Sequence, residues 1–321
     1  MKFHYHLLIN PASGGGKGTI VADKIIQLLK NNQYFFSTYY TEYANHEIEY
    51  LNELVDQYLT PWEKKENLSD PFFHLLIVIG GDGTLHQVVE ALYLLNKEIP
   101  VAFIPAGSGN DFARGFGISR EPVKAFWQII KAQEPKNINI LAYHEQASDK
   151  KGIILNNLGI GIDGAIVHQA NTTASKQKLS KYKLGAFVYI VSALKILFQQ
   201  KGFPVLIEAN GKEYNFKKAF LCTTTTHPYF GGGVAIAPTA NSSVVNFDFI
   251  LVERHSLLKI LGLLFLLPFK KHDKAKSFIQ INTTKLRIIS TTAQFGQVDG
   301  EVILPNAFDY VITPTKQKLW Y

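Results

Sequence analysis

Leu75-Leu76-Ile77-Val78-Ile79-Gly80-Gly81-Asp82-Gly83-Thr84 is the stretch that decides the fold. Five successive aliphatic residues form a short, wholly apolar run, the pattern of a strand covered on both faces in a parallel sheet. The Gly-Gly-Asp-Gly-Thr that follows is a tight turn, and Val88, Val89, Leu92 and Leu95 then repeat at helical spacing. Upstream, Phe3–Ile9 reads as a strand entering the loop Asn10-Pro11-Ala12-Ser13-Gly14-Gly15-Gly16. A helix with Ile20, Ile25, Ile26, Leu28 and Leu29 inward should follow it. Tyr34–Tyr40 reads as a second strand, and Asn45–Leu59 as an amphipathic helix with Asn45 at its N-cap. Downstream, the buried strand Val101–Ile104 runs into Pro105-Ala106-Gly107-Ser108-Gly109-Asn110-Asp111. Strands alternating with helices predict an α/β, Rossmann-like doubly wound domain over residues 1–136.

The texture changes after Lys136. Short alternating stretches dominate: Ile138–Tyr143, Gly152–Leu158, Val205–Ala209, Lys218–Thr224, Val244–Val252, Phe278–Asn282, Lys285–Ile289 and Tyr310–Thr313. Turn residues separate them, which predicts an antiparallel β-sandwich domain over 137–306. The C-terminal segment, about 307–321, is expected to return to the first domain. Two helical segments interrupt the strands, near Leu184–Gln200 and His255–Phe269.

Charge separates the same two regions. Residues 1–136 carry 12 Lys and Arg against 15 Asp and Glu, and residues 137–321 carry 21 against 11. Ala165 to Leu206 contains no acid, while Lys176, Lys178, Lys181, Lys183, Lys195 and Lys201 lie there. Such an excess attracts a polyanion, either nucleic acid or anionic lipid, or simply solvates one face. Cys222 is the one cysteine, so an internal disulfide and a cysteine metal site are excluded. Its use fits a reducing compartment. His4 and His6 alternate along one strand without a third ligand in view, so no metal is expected there. Met1 to Asn10 lacks the apolar run of a signal peptide, and no window is long enough to span a bilayer. The expected location is cytoplasmic.

Three glycine- and hydroxyl-rich loops, each after an apolar strand, carry the chemistry. Amides at strand-to-helix turns bind phosphate, helped by the positive end of the next helix. Glycine lets the backbone approach an anion. Successive turns of this kind would meet at the carboxyl edge of one sheet, where ligands bind. Two standard patterns fail. Gly16-Lys17 is followed by Gly18 rather than Ser or Thr, so the first loop is no Walker motif. Gly159, Gly161 and Gly164 are spaced like a dinucleotide fingerprint, but the next acid is Glu208, too far on to hold a ribose. The acids near these loops have structural uses as well. Asp82 and Asp111 could cap helices, and Asp163, Asp299 and Glu301 could be residues of Asp-Gly turns.

Taken together, Asn10-Pro11-x-Ser13-Gly14, Gly80-Gly81-Asp82-Gly83-Thr84-Leu85 and Pro105-x-Gly107-Ser108-x-Asn110-Asp111-Phe112-Ala113-Arg114 resemble the catalytic domain of the diacylglycerol kinase family, which includes sphingosine kinases. Asn157 to Gly164, Gly231-Gly232-Gly233 and Asp299-Gly300-Glu301 continue the resemblance in order along nearly the whole chain. The family implies an ATP- and Mg²⁺-dependent lipid kinase with its nucleotide in a cleft between two lobes. It implies that Asn10, Pro11, Ala12, Ser13 and Gly14 touch the ATP phosphates, that Thr41 faces the nucleotide, and that Gly80, Gly81, Asp82, Gly83 and Thr84 line the triphosphate. It implies that Ser108 contacts ATP, and that Asp111 and Asp163 hold Mg²⁺ through water or order the acceptor. Glu301, beside Asp299, would take the proton of the lipid hydroxyl. Phosphoryl transfer asks for positioning and charge neutralisation, which suits these residue types. One departure is visible. The acidic turn that relatives often carry after the Ala-Pro segment is replaced here by Asn241-Ser242-Ser243, which leaves the structural metal in question.

The acceptor expected is diacylglycerol or a similar lipid. A sphingoid base, ceramide or phosphatidylglycerol stays open, with an NAD kinase or a non-catalytic lipid or nucleotide sensor as other classes. Ser256–Phe269 is apolar nearly all round, too short to span a bilayer, and followed at once by Lys270, Lys271, Lys274 and Lys276. Segments 176–200 and 256–276 are therefore expected to meet an anionic membrane surface, placing the protein peripherally on its inner face. A core helix or a homodimer contact is the other use of such a segment. No nucleic-acid module is present, so nucleic acid is not expected as a partner.

Overall fold

A computed structural model describes residues 2–62, 71–176 and 196–321. Contacts divide the chain into two units. Unit one comprises Met1–Ile140, Tyr229–Gly233 and Thr315–Tyr321; unit two comprises Leu141–Pro228 and Val234–Pro314.

Unit one is an α/β layer structure. Strand β1 (Lys2–Ile9) is followed by helix α1 (Ser13–Asn31), β2 (Phe35–Tyr40), α2 (His46–Gln57), β3 (Phe72–Gly80), α3 (Asp82–Leu94), β4 (Val101–Pro105), α4 (Asp111–Gly115) and α5 (Pro122–Lys131). The strands pair in parallel in the order β2-β1-β3-β4, with Ile9 level with Ile79 and Gly80 level with Pro105. Leu75 to Ile79 are fully buried. Each such side chain stabilises the fold by about 1.5–3 kcal/mol, which is why this apolar run occupies the sheet interior. The C-terminus adds to the same sheet: Leu319 pairs in parallel with Val101, and Trp320 donates from its indole nitrogen to the Ile129 carbonyl.

Helix α1 keeps Ile25 and Leu29 of the expected face but not Ile20. Gly14, Gly15 and Gly16 have φ of 61°, 73° and 96°, so the regular helix begins after them. Its buried side is Val21, Ala22, Ile25 and Leu29, and Ile20 is exposed rather than inward. Asn45 does precede α2, but in a left-handed conformation without a side-chain cap.

Unit two is antiparallel. It holds the second half of β5 (Lys136–Glu145), then β6 (Lys150–Ile154), β7 (Asn157–Gly161), helix α6 (Ile162–Lys176), β8 (Phe203–Ala209) and β9 (Lys212–Thr225). After the short β10 (Tyr229–Phe230), which belongs to unit one, unit two continues with β11 (Val234–Ala235), β12 (Phe247–Glu253), helix α7 (Leu257–Leu266), β13 (Phe278–Thr283), β14 (Leu286–Val298) and β15 (Glu301–Leu319) as far as Pro314. Strands β7 and β8 occupy one lane between β9 and β14. Gly161 is level with Leu221 and Phe203 with Ala219 on β9, and Gly296–Val298 and Leu286–Ile289 of β14 flank β7 and β8 in turn. The chain leaves this lane at Gly161 (φ 87°), where a side chain would strike Phe203. Leu158, Ile160, Val205, Ile207, Phe247, Phe249 and Ile288 are among the core residues of this unit.

The changes of unit fall within long strands, at Ile140 in β5 and Thr315 in β15, later than the expected 136 and about 307; Tyr229–Gly233 also belongs to unit one. The expected single strand Gly152–Leu158 is two strands, broken at Leu155-Asn156. Of the helix expected near Leu184–Gln200, residues 184–195 lie outside the described part of the chain. Among the described residues, no helix is long and apolar enough to cross a membrane.

Candidate functional site

Because β1, β3 and β4 are adjacent and parallel, the turns after them open at one edge of the sheet. Side chains stitch these turns together. Asn10 accepts from the Ala12 amide (3.1 Å) and donates from Nδ2 to Thr84 Oγ1 (3.0 Å). The Gly81 amide donates to Ser13 Oγ (3.1 Å). Glycine is required where the turns touch: a side chain on Gly14 would strike the Ala106 carbonyl, and one on Gly107 would come within 2.8 Å of Gly81 Cα. The left-handed run Gly14–Gly16 is the backbone form in which successive amides can converge on an anion. Thr41, buried at the end of β2, donates its amide to the Ile9 carbonyl (2.9 Å), and Ser108 is exposed in the third turn.

A chain of carboxylates extends the arrangement. Asp82 Oδ2 accepts from the Asp111 amide (2.9 Å), and Asp111 Oδ2 accepts from the Gly232 amide (2.7 Å). Asp82 therefore caps α4 rather than its own helix. Gly231, Gly232 and Gly233 form a second left-handed glycine run (φ 58°, 85° and 105°), and the Arg114 guanidinium lies 5.2 Å from the Tyr229 ring centre. Asp111 Oδ1 and Asn110 Oδ1 are buried acceptors with no hydrogen-bond partner, Arg114 Nε being 4.0 Å from the former. Among the described residues no group of three His, Cys, Asp or Glu side chains is placed to hold a metal ion. A single carboxylate oxygen of Asp111 nevertheless fits Mg²⁺, which takes one or two protein carboxylates and completes its shell with water and phosphate.

Asp163, Asp299 and Glu301 lie in unit two. Asp299 and Gly300 form a two-residue turn joining β14 to β15, with φ of 50° and 92°. Positive φ at both positions is the primed hairpin turn that Asp-Gly favours. The Asp299 carboxylate accepts three amides, from Leu155 (2.7 Å), Asn156 (2.7 Å) and Asn157 (2.9 Å). Those three bonds cause the break between β6 and β7, and they occupy both oxygens. Asp299 is thus built as an anchor, while exposed Glu301 opens β15 directly after the turn. Asp163 is buried, and Oδ2 accepts from Asn157 Nδ2 (3.0 Å) and Gln297 Nε2 (2.9 Å). Burial pushes its pKa up to about 6, against the pull of those two donors. Gln297 also accepts the Gly300 amide (2.8 Å), so it ties Asp163 to the turn that presents Glu301. His227, held neutral by burial with a pKa near 4, bonds Asn156 Oδ1 (3.0 Å).

The structure thus brings Asn10, Ser13, Gly14, Gly81, Asp82, Thr84 and Asp111 together in unit one, and links Asp163 to the Asp299–Glu301 turn in unit two. Gln297 carries no role in the sequence reading, and Asn110 enters it only as a motif position. Gln297 had a faint signal, a lone amide just before the Asp-Gly turn.

Residues 4–142 match the diacylglycerol kinase catalytic domain, and residues 157–319 match the YegS C-terminal NAD kinase beta sandwich-like domain. A Bacillus subtilis (strain 168) protein named "Putative lipid kinase YtlR" is 28% identical over 319 residues, covering 98% of this chain and 99% of its own. The protein named diacylglycerol kinase from the same organism is 26% identical over 238 residues, 74% of each chain. A solved structure titled a "putative diacylglycerol kinase" from Bacillus anthracis str. Sterne superposes with a TM-score of 0.73 at 21% identity, covering 100% of this chain and 96% of the other.

Proposed function

We propose, since the chain belongs to the diacylglycerol kinase catalytic-domain family, that it transfers the γ-phosphate of ATP to the hydroxyl of diacylglycerol or a similar lipid alcohol. The observation that carries this reading is the stitching of three strand-end turns in unit one by Asn10–Thr84, Gly81–Ser13 and Asp82–Asp111. The parallel order β2-β1-β3-β4 supports reading unit one as a Rossmann-like nucleotide-binding domain.

On this reading the amides of Gly14 and Gly15 and of the turn after β3 bind the phosphates, while the Gly16 amide closes the first turn on the Ala12 carbonyl. The Asp82 carboxylate holds α4 so that Asp111 presents Oδ1, which accepts no hydrogen bond and pairs only at 4.0 Å with Arg114 Nε. Bound there, Mg²⁺ would neutralise phosphate charge as it develops in the transition state. In unit two, Glu301 takes the proton of the acceptor hydroxyl as the oxygen bonds to phosphorus, and Asp299, Gln297 and Asp163 fix the turn that carries it. That both half-sites act on one substrate is part of the proposal. A carboxylate suffices as the base because the alcohol proton leaves late in phosphoryl transfer.

The test is transfer of labelled γ-phosphate from ATP to a panel of lipid alcohols (diacylglycerol, a sphingoid base, ceramide, phosphatidylglycerol) in mixed micelles. Glu301→Gln should lower kcat about 10²- to 10⁴-fold with ATP binding unchanged. Wild-type enzyme that labels no lipid would refute the reading.

A further inference from the structure

We infer that helix α7, with the lysine-rich turn after it, is an insertion element that seats the protein on an anionic bilayer. The inference takes its occupant from the lipid-kinase reading above; the surface itself is read from geometry and charge. Of the ten residues Leu257–Leu266, eight are Leu, Ile or Phe, and Ile260 is the one buried. Leu258 is 82% exposed, Phe265 71% and Phe269, just beyond the helix, 60%. Leu258, Leu261, Phe265 and Phe269 recur at intervals of three and four, so they form one outward stripe. The Phe265 and Phe269 rings lie 5.6 Å apart on it. Contiguous exposed apolar surface of this kind marks a contact site.

The support beneath the stripe is firm. His272, buried in the turn His272–Lys274, donates from Nε2 to the Ile236 carbonyl (2.9 Å), and its ring meets Phe278 edge-on at 5.0 Å. The helix is therefore anchored where it ends, and its outer face is presented. Ten residues rise about 15 Å, half the hydrocarbon thickness, so the helix lies in the interface and does not cross.

Charge selects the occupant. Residues 270–276 carry four lysines, Lys270, Lys271, Lys274 and Lys276, all exposed, against one acid, Asp273. An apolar stripe bordered by lysines matches a surface whose interior is hydrocarbon and whose headgroups are anionic. A second copy would bring like charge against like at the same border, which disfavours self-pairing.

The experiment is co-sedimentation of the full chain, without nucleotide, with vesicles of phosphatidylcholine alone or of phosphatidylcholine and phosphatidylglycerol in equal parts. Wild type should bind the anionic vesicles and release them as salt rises. The quadruple variant Lys270→Gln, Lys271→Gln, Lys274→Gln, Lys276→Gln and the double variant Leu258→Ser, Phe265→Ser should each bind at least about tenfold more weakly. Every altered side chain is exposed, and ATP titration of each variant should match wild type, which confirms folding. Phe265→Trp fluorescence should be quenched by brominated lipid. Equal binding by wild type and both variants would overturn the inference, as would a dimer in sedimentation velocity that Phe265→Ser converts to monomer. Vesicle binding that fails while micellar phosphate transfer persists sinks the docking element alone; transfer that fails while vesicle binding persists sinks the kinase reading alone.

Discussion

Gln297 is the side chain whose work is most compact. Its amide nitrogen donates to Asp163 and its oxygen accepts the Gly300 amide, so one residue sets both a buried carboxyl and the turn ahead of Glu301. Gln297→Leu leaves the Gly300 amide without this partner and Asp163 with one donor fewer, which should cost about 1–3 kcal/mol of stability. Well below the unfolding temperature, kcat should fall while the KM for ATP holds; chemical denaturation and steady-state kinetics check the two parts. An equal change in both parameters would reduce Gln297 to a structural role. Residues of this sort are the least legible in sequence. Asp82, Asp111 and Asp299 stand out because they interrupt glycine-rich turns. That Asp82 grips the Asp111 amide, and that Asp299 collects three amides from a segment more than a hundred residues earlier, depends on tertiary approach that spacing does not encode.

At the scale of elements, strand β3 was readable because burial on both faces demands an unbroken aliphatic run. In helix α1 the expected Ile25 and Leu29 do face inward, but Ile20 is exposed, its place on the buried side being taken by Val21 and Ala22. The shared lane of β7 and β8 was hidden, since one strand position is filled by two segments separated by residues 162–202. The face of the β1-β2-β3 sheet carries a titration prediction. His6 Nε2 is 2.8 Å from His74 Nδ1, and His6 Nδ1 is 3.2 Å from the Tyr39 hydroxyl. Burial, then the neighbouring His4 and His74, lowers the His6 pKa from 6.5 to about 3. Between those values the unfolded chain binds the proton that the fold refuses. Stability from this group is therefore complete above about pH 6.5 and lost as pH falls toward 3. Asp163 opposes it: with its pKa raised, its share of stability declines as pH rises from 3.8 to about 6. His6→Gln should flatten the acid limb of the stability curve, measured by denaturant midpoint from pH 7 to pH 4. An unchanged slope would contradict this.

For the whole molecule, the division of labour follows the composition. The slightly acidic first region contains the stitched turns, and the basic second region carries the Asp299–Glu301 turn and the exposed apolar helix. The three turns stand out in the sequence because glycine and hydroxyl residues follow apolar strands, whereas the side chains that stitch them to one another do not. The Tyr229–Gly233 loop was not assignable to unit one, because residues 141–228 of the other unit precede it. The most direct measurement is calorimetric titration of the full chain with a non-hydrolysable ATP analogue and Mg²⁺, comparing wild type, Gly14→Ala and Glu301→Gln. A single site should appear in wild type and in Glu301→Gln alike. It should weaken at least about tenfold in Gly14→Ala, whose new methyl meets the Ala106 carbonyl in a left-handed backbone. Equal affinity in all three, or no binding by wild type, would contradict the account.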